Sequence, residues 1–283
     1  LAHKRLDDPS ILENKSDKLV TPELYRLIGE LYQNVPVDHK YRFYILILAL
    51  LACTGRRFSE ITLLPCQSVQ YDSNNHAYIE YFPRKISHGD TFTPKRKLYV
   101  PSQTLDIVKA VLKELNQVCT PARLTAAEMQ QCNGPDLRFL AHIDEHQRLY
   151  KQDLETLGVS GKLLYGDRWI RKHGYAIPDN DKLNAQGKKP RSPIQYTYKK
   201  AIAEYCQRDY SEHYIFPTHI DQNGKKYFLK DLLLVKHLGL SSGAYSRWIA
   251  TQCTHSMMTT FLRYLPNLAK EYSSVTAAID FRS

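Results

Sequence analysis

From Thr21 onward the apolar positions take up a helical rhythm. Thr21-Pro22-Glu23 supplies a cap, a proline at the first helical position and an acid in the first turn, and Leu24, Leu27, Ile28 and Leu31 then recur on one face. A second helix is expected over 40–54, because the run from Tyr44 to Ala52 is apolar on nearly every face and belongs at the centre of a core. Gly55 ends it. The pattern then changes to β-branched and aromatic runs at 78–82 and 97–100, with a third strand at 68–71 closed by the turn residues Asp72 to Asn75. Helical spacing returns at 104–117, with Leu105, Val108, Leu112 and Leu115 facing inward. Glycines and prolines punctuate 120–195, which reads as an irregular insertion. Further helices are expected at 192–205, 229–238, 243–250 and 254–265, and Tyr214 to Pro217 closes a unit. Residues 1–19 are polar and read as a linker or arm, leaving 20–283 as one domain. The class that emerges is mainly α with a small antiparallel β-sheet, an α+β fold.

Composition narrows the function. With 43% hydrophobic and 24% charged residues, the 283-residue chain has the balance of a soluble globular protein. Its longest apolar run, Phe43 to Cys53, falls well short of the roughly 20 residues a membrane span needs. No apolar run follows the first five residues, so no secretory signal is expected. Thirty-nine Lys and Arg against 29 Asp and Glu give a net charge of +10, which fits a polyanionic partner such as nucleic acid as readily as a merely basic enzyme. The six cysteines are scattered with no C-x-x-C pair, which argues against zinc and for reduced, intracellular thiols.

The stretch most informative for chemistry is Thr54-Gly55-Arg56-Arg57-Phe58-Ser59-Glu60. An apolar helix ends at a glycine, a second helix starts at once, and Arg57 sits at the junction with Glu60 three residues on. A guanidinium oriented by that carboxylate would suit bidentate binding of a phosphate; an ordinary surface ion pair satisfies the same spacing. A basic loop joins the strands at 78–82 and 97–100, carrying Arg84, Lys85, His88, Lys95 and Arg96. A second basic run, Lys188, Lys189 and Arg191, reads equally as a phosphate-contacting loop or a solvated linker.

Thr54 to Glu60 resembles the first arginine box of the tyrosine recombinase and phage integrase family, T-G-x-R-x-S-E. The resemblance keeps its order downstream: the family places a catalytic lysine in a β-hairpin after this box, where Lys85 stands, with Lys95 as the alternative. The family's second box, H-x-x-R, is matched by His255, but Met258 occupies the arginine position; Arg263 or Arg247 are the nearby substitutes. The family's nucleophilic tyrosine falls beyond Phe281, past the last residue, so the chain reads as a fragment ending before it; Tyr264 and Tyr272 come too early. The resemblance implies a tyrosine-recombinase-like catalytic domain that cleaves and rejoins duplex DNA through a 3′-phosphotyrosine, without metal or cofactor. Arg57, Lys85 and His255 would be catalytic and Glu60 would support Arg57. Met258 or Arg263 would mark the second-arginine position, and an arginine restored at 258 would raise strand transfer. Arg56, Lys95, Arg96, Lys188, Lys189 and Arg191 would contact DNA. It further implies a dimer to tetramer assembled on DNA, a cytoplasmic or nucleoid-associated bacterial location and no membrane partner. The alternative is a DNA-binding paralogue of the same fold that has lost catalysis.

Overall fold

In the computed structural model, residues 21–83, 93–135, 137–157, 159, 162–166, 168–209, 217–237 and 250–275 are described. The chain is a mixed α+β protein. Helix α1 (Pro22–Asn34) starts as expected: the Thr21 hydroxyl accepts the Leu24 amide and Pro22 occupies the first turn. Helix α2 (Arg42–Thr54) is the buried one, and Gly55 ends it in the left-handed region at φ 60°, where a side chain would be strained. The short α3 (Phe58–Ile61) follows directly. Three antiparallel strands come next, β1 (Gln70–Tyr71), β2 (Ala77–Tyr81) and β3 (Arg96–Tyr99), in that order across the sheet.

Helix α4 (Ser102–Cys132) departs from expectation. It runs 31 residues instead of stopping near 117, straight through Pro121. Proline removes one helical N–H, yet the inward residues Val108, Leu112, Leu115, Cys119, Ala122, Ala126 and Met129 keep an unbroken four-three spacing across it. That single face serves two cores. Val108 to Cys119 pack with α1, α2 and the C-terminal helices, whereas Ala122, Ala126 and Met129 pack into a second cluster with Leu149, Leu154, Leu164, Ile170 and Ile202. The region 120–195 therefore has a core of its own and is not an irregular insertion. With the residues that follow it to 209, it comprises β4 (Leu149–Tyr150), α5 (Lys151–Thr156), α6 (Lys162–Gly166), α7 (Arg168–Lys172), β5 (Ile177–Asp179), β6 (Ile194–Thr197) and α8 (Lys199–Asp209), with the strands ordered β4-β6-β5.

Two expected helices are corrected. The helix predicted over 192–205 divides into β6 and α8, because Ile194, Tyr196 and Thr197 favour the sheet and helix begins only at Lys199. The helix predicted over 229–238 is a 3₁₀ turn at Leu229–Asp231 followed by extended chain and strand β9 (Val235–His237). Leu232 and Val235 enter the second core while Leu233 and Leu234 enter the first, so this apolar run is buried on both sides as extended chain. Before it lies the hairpin of β7 (His219–Ile220) and β8 (Lys226–Tyr227), and β9 pairs with β10 (Ala250–Gln252). Ala250 is thus a strand residue; the rest of the helix expected at 243–250 lies outside the described residues, as do 1–19, Arg247 and most of Tyr214 to Pro217. Helices α9 (His255–Leu262) and α10 (Leu265–Tyr272) complete the first core. No described helix is long and apolar enough to cross a membrane.

Candidate functional site

Arg57 caps α3, and its geometry corrects one expectation. The buried Glu60 carboxylate accepts the Arg57 backbone N–H at 3.2 Å, not the guanidinium. Glu60 therefore closes the first turn of α3 and fixes the backbone under Arg57. The Arg57 side chain is exposed, and among the described residues no hydrogen bond or ion pair engages it. Arg56 turns the other way. Its guanidinium lies over the Tyr81 ring at 5.2 Å, one amino group donates to the Tyr81 hydroxyl at 3.2 Å, and its Nε is buried with no hydrogen-bond partner among the described residues. Tyr81 ends β2 and is paired with Arg96 across the ladder. The end of β2 is thereby tied to the arginine junction.

His255 arrives from the far end of the chain. It opens α9 behind the cap Thr254, whose hydroxyl accepts the Met257 amide. The imidazole is exposed and meets the Phe58 ring edge to face at 4.5 Å. Just upstream, the Gln252 side-chain amide donates to the Thr62 carbonyl at 2.6 Å. These two contacts hold the start of α9 against α3, so Arg57 and His255 flank one short helix although 198 residues separate them (255 − 57). Phe58 and Gln252 were not singled out from the sequence. Phe58 stood inside the box as an unassigned position, and nothing in the local pattern marks Gln252.

The remaining candidates divide. Lys95 lies at the entrance to β3, where its amide donates to Gln222 and its Nζ pairs with Glu80 at 3.0 Å. That hydrogen bond raises the Lys95 pKa above its ordinary value and holds the ammonium charged. The β7–β8 hairpin positions this entrance: Asp221 organises the hairpin turn, and Thr93 donates its amide to Ile220. Arg96 is exposed on β3. Lys85, with Arg84 and His88, lies outside the described residues.

Met258 is 6% exposed and belongs to the first core, one turn below the exposed His255. It shares that core with leucines and aromatic rings, so in this structure the position that the resemblance gives to a second arginine is a packing position. Arg263 is exposed just beyond the last turn of α9, at the opposite end of the helix from His255. Tyr264 shares that end and stacks on Tyr41, and Tyr272 lies against His39 at the end of α10. Lys188, Lys189 and Arg191 are all exposed on the long connection between β5 and β6, which Asn184 organises by accepting the amides of Gln186 and Lys188. They belong to the second core's sheet, and no contact among the described residues joins them to Arg57. Among the described residues no group of three or more His, Cys, Asp and Glu is placed to hold a metal ion.

No family model, no curated protein and no solved structure matches this chain.

Proposed function

We propose that the chain is the catalytic domain of a DNA strand transferase of tyrosine-recombinase type. The observation that carries this reading is the meeting of three separated segments around α3: Arg57 at its start, His255 against Phe58, and the end of β2 under Arg56. In the proposed reaction a tyrosine hydroxyl gives its proton to solvent, its oxygen attacks the scissile phosphorus and the bond to the 5′ oxygen breaks. A lysine of the β2–β3 connection, Lys85 or Lys95, gives that oxygen its proton. Arg57 donates to the non-bridging oxygens as charge builds on them, and His255 hydrogen-bonds the same group. The reverse step rejoins a strand and restores the tyrosine. Arg96, with Lys188, Lys189 and Arg191, would hold the flanking backbone in an assembly of two to four protomers.

A second reading, a DNA-binding protein of this architecture without strand transfer, draws on Met258, which leaves the site with one fewer cation than the reaction uses. Incubation of a form of the protein that carries the proposed nucleophilic tyrosine with mixed-sequence supercoiled DNA, followed by denaturation in detergent, separates the readings. The first expects a denaturation-resistant protein–DNA adduct that Arg57→Ala abolishes while the far-ultraviolet circular dichroism is unchanged. Duplex binding with no adduct gives the second reading, and no duplex binding at low salt overturns both.

A further inference from the structure

A cavity of about 470 Å³ opens in the second core unit, where β6 gives way to α8, well apart in sequence from the arginine junction. Two features of it point to an anionic ligand, and a third to the body that carries the charge. The 11-residue helix α8 begins at its wall with Lys199 and Lys200, and the first amides of a helix have no acceptor within it and carry the positive end of its dipole. Thr197, two residues before the helix, is completely buried and lines the cavity, and its hydroxyl has no hydrogen-bond partner among the described residues. Buried hydroxyls are almost always paired, so this one is a donor awaiting a partner. The other walls are apolar or aromatic, chiefly Tyr175, Ile177 and Tyr198.

The charges around the cavity are mixed. Lys199 is held by the Ile143 carbonyl at 3.1 Å, with its charge directed along the wall. Glu204, one turn along α8, accepts the Tyr175 hydroxyl and lies 3.9 Å from Lys200. Glu145 and His146 stand exposed at the rim. A cationic end beside an apolar, ring-lined body, with a volume in the range of small-molecule sites, matches a phosphate carried on a flat organic group.

We infer that this cavity binds a nucleoside monophosphate, its phosphate at the start of α8 against Thr197 and Lys200 and its ring system against Tyr175, Ile177 and Tyr198. The unit is either a free nucleotide or the 5′-phosphorylated end of a DNA strand. The inference does not depend on the strand-transferase reading, because it concerns a different set of residues and a binding event.

Titration calorimetry with adenosine 5′-monophosphate, adenosine and inorganic phosphate tests it. The nucleotide should bind at least about tenfold more tightly than either part alone, and Thr197→Val and the exposed Lys200→Ala should each weaken it about tenfold. Competition by a 5′-phosphorylated duplex, but not by its 5′-hydroxyl counterpart, identifies the strand end as the ligand; no competition identifies the free nucleotide. Absence of saturable nucleotide binding, or binding unaffected by Lys200→Ala and by a Thr197→Val protein of unchanged circular dichroism, overturns the inference.

Discussion

Arg57 and Met258 show how the same chain treats two positions that the resemblance pairs. Arg57 is held on an exposed junction, its backbone fixed by Glu60 and its side chain left for solvent or ligand. Met258, three residues from His255, is instead buried in the first core, the cluster that also holds Phe261 and Leu50. A guanidinium forced into that environment loses its water without gaining a partner. Met258→Arg should therefore destabilise the protein by about 2–4 kcal/mol in urea unfolding. A variant as stable as the parent would mean that the arginine reaches the surface beside His255, and would reopen the second-arginine position. Arg56 makes the converse point. It is one residue from Arg57, yet its role as a tether to Tyr81 depends on a strand that comes 21 residues later (77 − 56), which no local pattern reveals.

At the scale of elements, the first core is joined by one buried ion pair. Arg42, the first residue of α2, makes a two-pronged bond to Glu114 of α4 at 2.6 and 2.8 Å, and also donates to the Tyr32 and Val35 carbonyls at the end of α1. Removing it leaves a largely buried carboxylate and two carbonyls unpaired, so Arg42→Ala should lose about 3–5 kcal/mol of unfolding free energy. A loss below about 1 kcal/mol would show that water replaces it freely. The C-terminal helix is fastened differently. Glu30 of α1 accepts the Ser274 amide, the Ser273 hydroxyl and the Arg26 guanidinium, and together these pull its pKa from 4.5 down to about 2. A carboxyl depressed by folding adds stability that is complete above its unfolded pKa and disappears as the pH falls through the folded one. The Tm difference between the parent and Glu30→Gln should accordingly be constant near neutrality and shrink between pH 4.5 and pH 2. A difference independent of pH would place the effect in packing.

These elements also show what could be read in advance. The amphipathic α1, the buried α2 and the three-stranded sheet were legible because each obeys one periodicity against one core. The second half of helix α4 is hard to read because it turns the small residues Ala122 and Ala126 toward a second core, and small residues give a weak hydrophobic signal. Their four-three spacing was nonetheless present. The run Leu232 to Val235 failed for the opposite reason: burial on both sides erases alternation, and a short, wholly apolar run reads alike as helix or strand. At the candidate site, Arg57 and His255 stood out by type and motif. The contacts that join them, Phe58 to His255 and Gln252 to Thr62, arise from tertiary packing and leave no trace in spacing.

The whole molecule has two cores threaded by one helix, with the arginine junction on the first and the basic β5–β6 connection on the second. Its net charge of +10 is carried partly by exposed cations at both places. The central claim is that Arg57 meets a DNA phosphate, and the salt dependence of duplex binding tests it most directly. Each phosphate contact releases counterions, so the logarithm of the binding constant falls with the logarithm of salt concentration by about 0.9 per contact. Fluorescence anisotropy with a mixed-sequence duplex should give a steep negative slope for the parent protein, and Arg57→Ala should make it shallower by about one unit while the fold is retained. An unchanged slope, or no binding at low salt, would contradict the account.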